Sequence, residues 1–279
     1  MRRAVLGRHI SRGRGLTAAF TCAAVCAGLS GCGTATRVVH PAAAALTRTV
    51  RVSDAVAATA SATLPLAGRV VGVDPGHNGR NYTDPGYIDH QIWNGREYED
   101  CDTTGTETDS GYTEARFNWN VAGYLVADLH REGAHVVLTR HSNDGVGPCV
   151  TRRAQIMNRA HVAVEISIHA DGGPANGRGF AILEPVADGI NDPRPSRRFA
   201  RILRSRFEAG TSMPVSTYDG IDGLQPRDDL AGENLVREPY ALIECGNMRN
   251  ATDAALLTSS RWQRRAAAAI ASAITRFLR

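Results

Sequence analysis

The sequence predicts an α/β domain of three layers, a twisted, mainly parallel sheet flanked by helices. Two observations lead there. Short apolar runs of strand length alternate along the chain with longer segments of helical period, from Val70 to Leu278. The 279 residues, 43% of them hydrophobic, suffice for a sizeable core without requiring a second globular domain.

The elements follow in chain order. Val70–Asp74 reads as a buried strand. Residues 78–110, rich in Gly, Asn, Asp and Thr, read as one long loop of the kind that usually serves function. Phe117, Val121, Leu125 and Leu129 recur every four residues and give a helix over 114–132 one apolar face, with Thr113 placed to cap it and Gly133 to stop it. A strand is expected over 135–139, a helix over 150–160, strands over 162–170 and 179–184, a helix over 196–209, a buried strand over 240–245 and a long Ala-rich helix over 260–278.

The N-terminus has a different composition. Residues 1–31 carry five arginines and no acid, and an apolar run from Leu16 to Leu29 has the length of a signal-peptide core, too short to span a membrane comfortably. Leu29-Ser30-Gly31-Cys32 resembles a bacterial lipobox, which makes Cys32 the expected lipidation site and 1–31 a lipoprotein signal peptide. Residues 32–67 then read as a flexible tether and 68–279 as the catalytic domain. The expected location is the cell envelope, lipid-anchored to the outer face of the cytoplasmic membrane. Without the first 31 residues the chain holds 27 basic against 28 acidic residues, which argues against nucleic-acid binding. Every basic residue is arginine.

Cys22 and Cys26 depart with such a signal, leaving Cys101, Cys149 and Cys245 in the mature domain. Export implies an oxidising compartment, so one pair and one spare thiol are expected. Cys101 and Cys149, both in segments expected to be exposed, form the expected disulfide. Cys245, ending an apolar strand, is expected to be a buried, inert thiol.

Three residues stand where strands end or helices begin: His77 after the first strand, Glu114 opening the first long helix, and His169 ending Ile166-Ser167-Ile168. In a mainly parallel sheet these positions share one edge. Two imidazoles and a carboxylate form the ligand set of a catalytic zinc site, and Glu244, ending another strand, could move a proton there. Each alone is equally an ordinary structural residue. No His-Glu-x-x-His run and no Gly-x-Ser-x-Gly elbow is present.

Taken together, Val73-Asp74-Pro75-Gly76-His77, Glu114 with Asn118, Arg153 with Asn158, Ile166-Ser167-Ile168-His169-Ala170 and Ile243-Glu244-Cys245-Gly246-Asn247 resemble the zinc-dependent N-acetylmuramoyl-L-alanine amidases of the amidase-3 family. The stretch Arg227–Gly232 with Glu244–Asn250 is most similar to compact actinobacterial members. The resemblance spans roughly residues 69–279. It implies His77, Glu114 and His169 as ligands of one zinc ion, Glu244 as catalytic glutamate, and cleavage between the lactyl group of N-acetylmuramic acid and L-alanine of the stem peptide. Peptidoglycan or its muropeptide fragments are the implied partner, and a monomer is expected. The loop 78–110 is longer than the family's minimal pattern. Glu165 stands where the family usually has an apolar residue, and a salt bridge to an arginine is its expected role. Two other readings compete: a zinc carboxypeptidase-like peptidase, disfavoured because His77 is followed by Asn78-Gly79-Arg80 and not by a His-x-x-Glu pair, and a muropeptide-binding or hydrolase-activating lipoprotein without catalysis.

Overall fold

A computed structural model describes residues 63–187 and 191–279. The signal segment, Cys32 and most of the tether lie outside the described residues. Packing begins by Leu66, inside the segment read as tether: its side chain is buried in the core and its amide bonds to the Glu132 carbonyl.

The first strand, β1 (Val70–Pro75), is followed by a 3-10 turn (Asn81–Thr83), α1 (Pro85–Ile88) and a hairpin of β2 (Gln91–Trp93) and β3 (Tyr98–Asp100). Then come α2 (Glu114–Arg131), β4 (His135–Leu138), α3 (Val150–Ala160), β5 (Val164–Asp171), β6 (Ala181–Pro185) and α4 (Pro193–Thr211). The chain closes with β7 (Leu224–Arg227), α5 (Ala231–Leu235), β8 (Tyr240–Asn247), α6 (Ala251–Leu257) and α7 (Ser260–Leu278). The main sheet has the order β4-β1-β5-β8-β6-β7, and every pairing in it is parallel except that of β6 with β8. This is the expected three-layer α/β architecture.

Strand alternation divides the core in two. One face of the sheet presents Val71, Val73, Ile166, Ile168, Ala241 and Ile243 to α2, α4 and α7. Each fully buried side chain of this kind contributes roughly 1.5–3 kcal/mol. The other face carries Asp74, Glu165, Ser167, His169, Tyr240, Leu242 and Glu244, and is covered by the shorter α3 and α5. The polar parity of β5 and β8 thus turns toward one layer, where the cover is thinner.

Three expectations need correction. Residues 78–110 are not one loop, since they hold the 3-10 turn, α1 and the hairpin. Thr113 occupies the N-cap of α2, but its hydroxyl makes no capping bond; the first-turn amide of Glu114 bonds instead to the Thr106 carbonyl. Cys101 and Cys149 are buried, not exposed, because the hairpin segment folds down over the start of α3 and the Val150 amide bonds to the Cys101 carbonyl. Cys245 is fully buried on β8, as expected.

Candidate metal centre and active site

The parallel strands β1 and β5 deliver His77 and His169 to one edge of the sheet, and the N-terminus of α2 brings Glu114 up from the opposite layer. One ligand atom from each of the three lies within 4.8 Å of the others. His169 Nδ1 is 2.9 Å from Glu114 Oε1, His77 Nε2 is 3.2 Å from the same oxygen, and the two imidazoles meet edge to face.

The surroundings fix each ring nitrogen. His77 Nδ1 lies 3.1 Å from the Thr103 carbonyl and 3.4 Å from Asp102 Oδ1, which leaves Nε2 facing inward. Glu114 accepts from the amides of Thr106 and Ala170, and Asn118, one helical turn on, donates to the Gly76 carbonyl. Convergent imidazole and carboxylate donors, held from behind by carbonyls, amides and a carboxylate, fit a zinc ion with an open position.

Close approach of the backbone sets two glycines here. A Cβ on Gly76 would sit 2.1 Å from the His169 ring. At Gly105, whose φ is +70°, a Cβ would sit 2.6 Å from Glu114 Oε2 and 2.7 Å from the His77 ring. His77 itself has a φ of +55°, a left-handed conformation uncommon for a residue with a side chain and often found at functional sites.

A buried charge network stands behind His77. Arg153, on α3, donates to Asp74 at 2.7 Å and to Asp102 at 2.9 Å, and also to the carbonyls of Pro75 and His77. Asp74 further accepts from Ser167 and Thr139. Burial alone would raise Asp74 and Asp102, but Arg153 overrides it and holds both below the usual carboxylate range. Burial likewise opposes a charge on His77, yet Glu114 and Asp102 together raise it to about 10. Metal binding there must displace a proton.

Glu244 pairs in register with His169 across β5 and β8, so both side chains leave the same sheet face side by side. Its Oε2 has no partner. Burial, reinforced by Glu114 and Asp171, holds its carboxyl well above the ordinary range. A carboxyl poised to exchange a proton beside a metal site is the arrangement general acid–base chemistry needs.

The structure thus brings together all four residues singled out in the sequence. It also supplies Asp102 and Thr103, which the sequence reading missed; nothing in the composition of their loop distinguishes them. The hairpin did leave a signal, since Asn94-Gly95 is a strong two-residue turn marker. Glu165 departs from expectation: it is 1% exposed, its Oε2 has no hydrogen-bond partner, and no arginine pairs with it among the described residues. Arg153 is already committed to the two aspartates. Cys101 and Cys149 Sγ, with a ring nitrogen of His90, form a second group of donors within 4.8 Å of one another, and both cysteines are thiols here.

Fold and site together define an α/β enzyme with a two-histidine, one-carboxylate centre and an adjacent proton-transfer carboxyl. Residues 71–276 match the amidase-3 family, described as N-acetylmuramoyl-L-alanine amidase. The chain is 41% identical over 216 residues to N-acetylmuramoyl-L-alanine amidase Rv3717 of Mycobacterium tuberculosis, covering 76% of this chain and 88% of that protein. It is 26% identical over 236 residues to the germination-specific N-acetylmuramoyl-L-alanine amidase of Bacillus subtilis, covering 77% of this chain and 81% of that one. The crystal structure of the N-acetylmuramyl-L-alanine amidase Ami1 from Mycobacterium smegmatis superposes with a TM-score of 0.73 at 40% identity, over 76% of this chain and 98% of Ami1. The chain belongs to the amidase-3 family and is a hydrolase of that family.

Proposed function

We propose that this chain is a zinc-dependent amidase that hydrolyses the bond between the lactyl group of N-acetylmuramic acid and L-alanine of peptidoglycan stem peptides. The observation that carries this reading is the convergence of His77, Glu114 and His169 at one sheet edge, with Glu244 in register beside His169. From the N-terminal sequence we also propose that the protein is an exported lipoprotein anchored through Cys32, and that Cys101 and Cys149, thiols in this structure with Sγ atoms within 4.8 Å, oxidise to a disulfide after export.

His77, Glu114 and His169 would hold the zinc ion. When bound, zinc polarises the scissile carbonyl and lowers the pKa of water to about 7. Glu244 takes a proton from the attacking water and returns it to the nitrogen of the leaving L-alanine. Its elevated pKa suits a carboxyl that must hold that proton between the two transfers. Asp102 and Thr103 orient His77, and Arg153 fixes Asp102.

Digestion of a defined muropeptide, followed by mass spectrometry, tests the reading. A new N-terminal L-alanine amine is expected, with activity removed by a chelator and restored by zinc. His77→Ala and His169→Ala should each lose metal and activity together. Release of D-alanine would favour the carboxypeptidase reading, and stoichiometric zinc retained by either variant under chelation would remove that residue from the ligand set.

A further inference from the structure

Beside the metal centre lies a cavity of about 170 Å³ that the hydrolytic chemistry does not use. Its lining starts at His77 and His169 and continues along the face of β5 and β8, beneath α3 and α5, to Glu165 and Tyr240. Glu165 is four residues from His169 on the same face of β5, which places it roughly 13 Å from the metal-site end at about 3.3 Å per residue. Between the two ends the wall is mostly apolar, made by Val150, Ala154, Val236 and Leu242.

The polar groups of this cavity are unusual. Glu165 is almost wholly buried and its Oε2 has no partner. Glu99, half-buried on β3, contributes Oε1, a second oxygen without a partner. Buried acceptors are nearly always satisfied, so two orphans lining one cavity require an explanation. The carboxyls do not form a cation site of their own, since among the described residues the donor groups spaced for a metal lie elsewhere. Burial holds Glu165 well above the ordinary carboxyl range, and Asp74, Glu238 and Glu233 add to this. An incoming anion would meet the same acids. The positive donor already in the lining, Arg153, is committed to Asp74 and Asp102, so the two orphaned oxygens lack a cationic hydrogen-bond donor of their own.

We propose that this cavity is a specificity subsite for an amine-terminated side chain of the stem peptide, read by Glu165. The inference rests on the amidase reading and extends it to a substrate class. Because His77 and His169 form part of its lining, a substrate bound at the metal centre can reach into the cavity. A distance of roughly 13 Å from the metal-site end is the reach of about three or four extended residues, so the side chain of a diamino acid two residues beyond L-alanine can approach Glu165 while the peptide backbone stays outside the cavity. The volume is close to that of the roughly 150 Å³ cavity that takes a benzene, hence about six heavy atoms, the size of an aminoalkyl arm. Its methylenes would lie along the apolar wall, and the ammonium at the far end would donate to Glu165 Oε2.

Calorimetric binding to the slow Glu244→Gln chain tests this, using two muramoyl-tripeptides that differ only in carrying lysine or norleucine as third residue. The lysine peptide is expected to bind about tenfold tighter or more, as for a hydrogen bond to a charged group. Adding Glu165→Gln, which keeps shape but cannot ionise, should bring the ratio close to one. Adding Ala154→Leu, which fills the cavity from α3, should do the same by exclusion. Equal affinities in the Glu244→Gln parent, or a preference that survives both second substitutions, would overturn the proposal. Since the readout is a ratio of affinities, it is independent of whether L-alanine is released, which tests the amidase reading separately.

Discussion

At the residue scale, Glu244 and His169 are an instructive pair. They are Cα partners across two parallel strands, yet one is poised to bind metal and the other to hold a proton. Glu244→Gln preserves volume and removes the exchangeable proton, so it should retain zinc while turnover falls by roughly 10²-fold or more; near-normal cleavage of a muramoyl-peptide would take Glu244 out of the mechanism. Glu233 makes a different prediction. Burial, together with Asp229 and Glu99, raises it to about 8, from a usual value near 4.5. The folded state therefore binds this proton more tightly than the unfolded chain. The resulting stability is complete below about pH 4.5 and is lost as pH rises toward 8. Thermal unfolding followed between pH 5 and 9 should show Glu233→Gln flattening that decline; identical slopes in the two proteins would show that Glu233 does not titrate there.

At the scale of elements, the legible parts were those with a strong period or a clean apolar run. The helices over 150–160 and 260–278 and the buried strands β1, β5 and β8 stood out because packing against a sheet demands those patterns. Less was visible where pairing rather than burial makes the element. β7 is Leu-Gln-Pro-Arg, a four-residue edge strand with a proline and no apolar alternation, and α5 is five residues long. The hairpin β2–β3 was lost in a polar stretch despite the Asn-Gly pair that opens its Asn94–Glu97 turn. The four site residues were readable because strand ends and a helix start locate them, whereas Asp102 and Thr103 act from a loop whose position only the tertiary structure determines. That loop bears on the disulfide. Joining Cys101 to Cys149 would tie the residue preceding Asp102 to the N-cap of α3, closing a loop of about 50 residues, for which chain entropy gives roughly 4 kcal/mol less any strain. Mass mapping under non-reducing conditions should recover that pair, with Cys245 alkylated only after unfolding, and reduction should lower the unfolding temperature. A crosslink to Cys245 would refute the pairing.

At the scale of the whole molecule, residues 1–31 carry five arginines and no acid, while the remainder, with 27 basic against 28 acidic residues, is nearly neutral. Among the described residues no helix is long and apolar enough to cross a membrane. On the proposed reading, attachment is through the lipid on Cys32. Cys32→Ala should therefore move the protein from the membrane fraction to the soluble fraction or arrest its processing; a wild-type chain whose mature N-terminus lies elsewhere, or that carries no acyl mass, would contradict this.

The ligand set has one further consequence. Glu114 belongs to a helix packed on one side of the sheet, His169 projects toward the other, and 55 residues separate them in the chain. No short peptide of this protein holds two of the three donors, so an unfolded chain competes poorly for the ion. Metal capture must then follow assembly of the layers, in whichever compartment folding is completed. A bound ion would rivet α2 to the sheet edge, adding about 4 kcal/mol where free metal exceeds its dissociation constant a thousandfold. Loss of the ion on dilution into chelator should accordingly be paced by the opening of α2, and hydrogen exchange along that helix would follow the same clock.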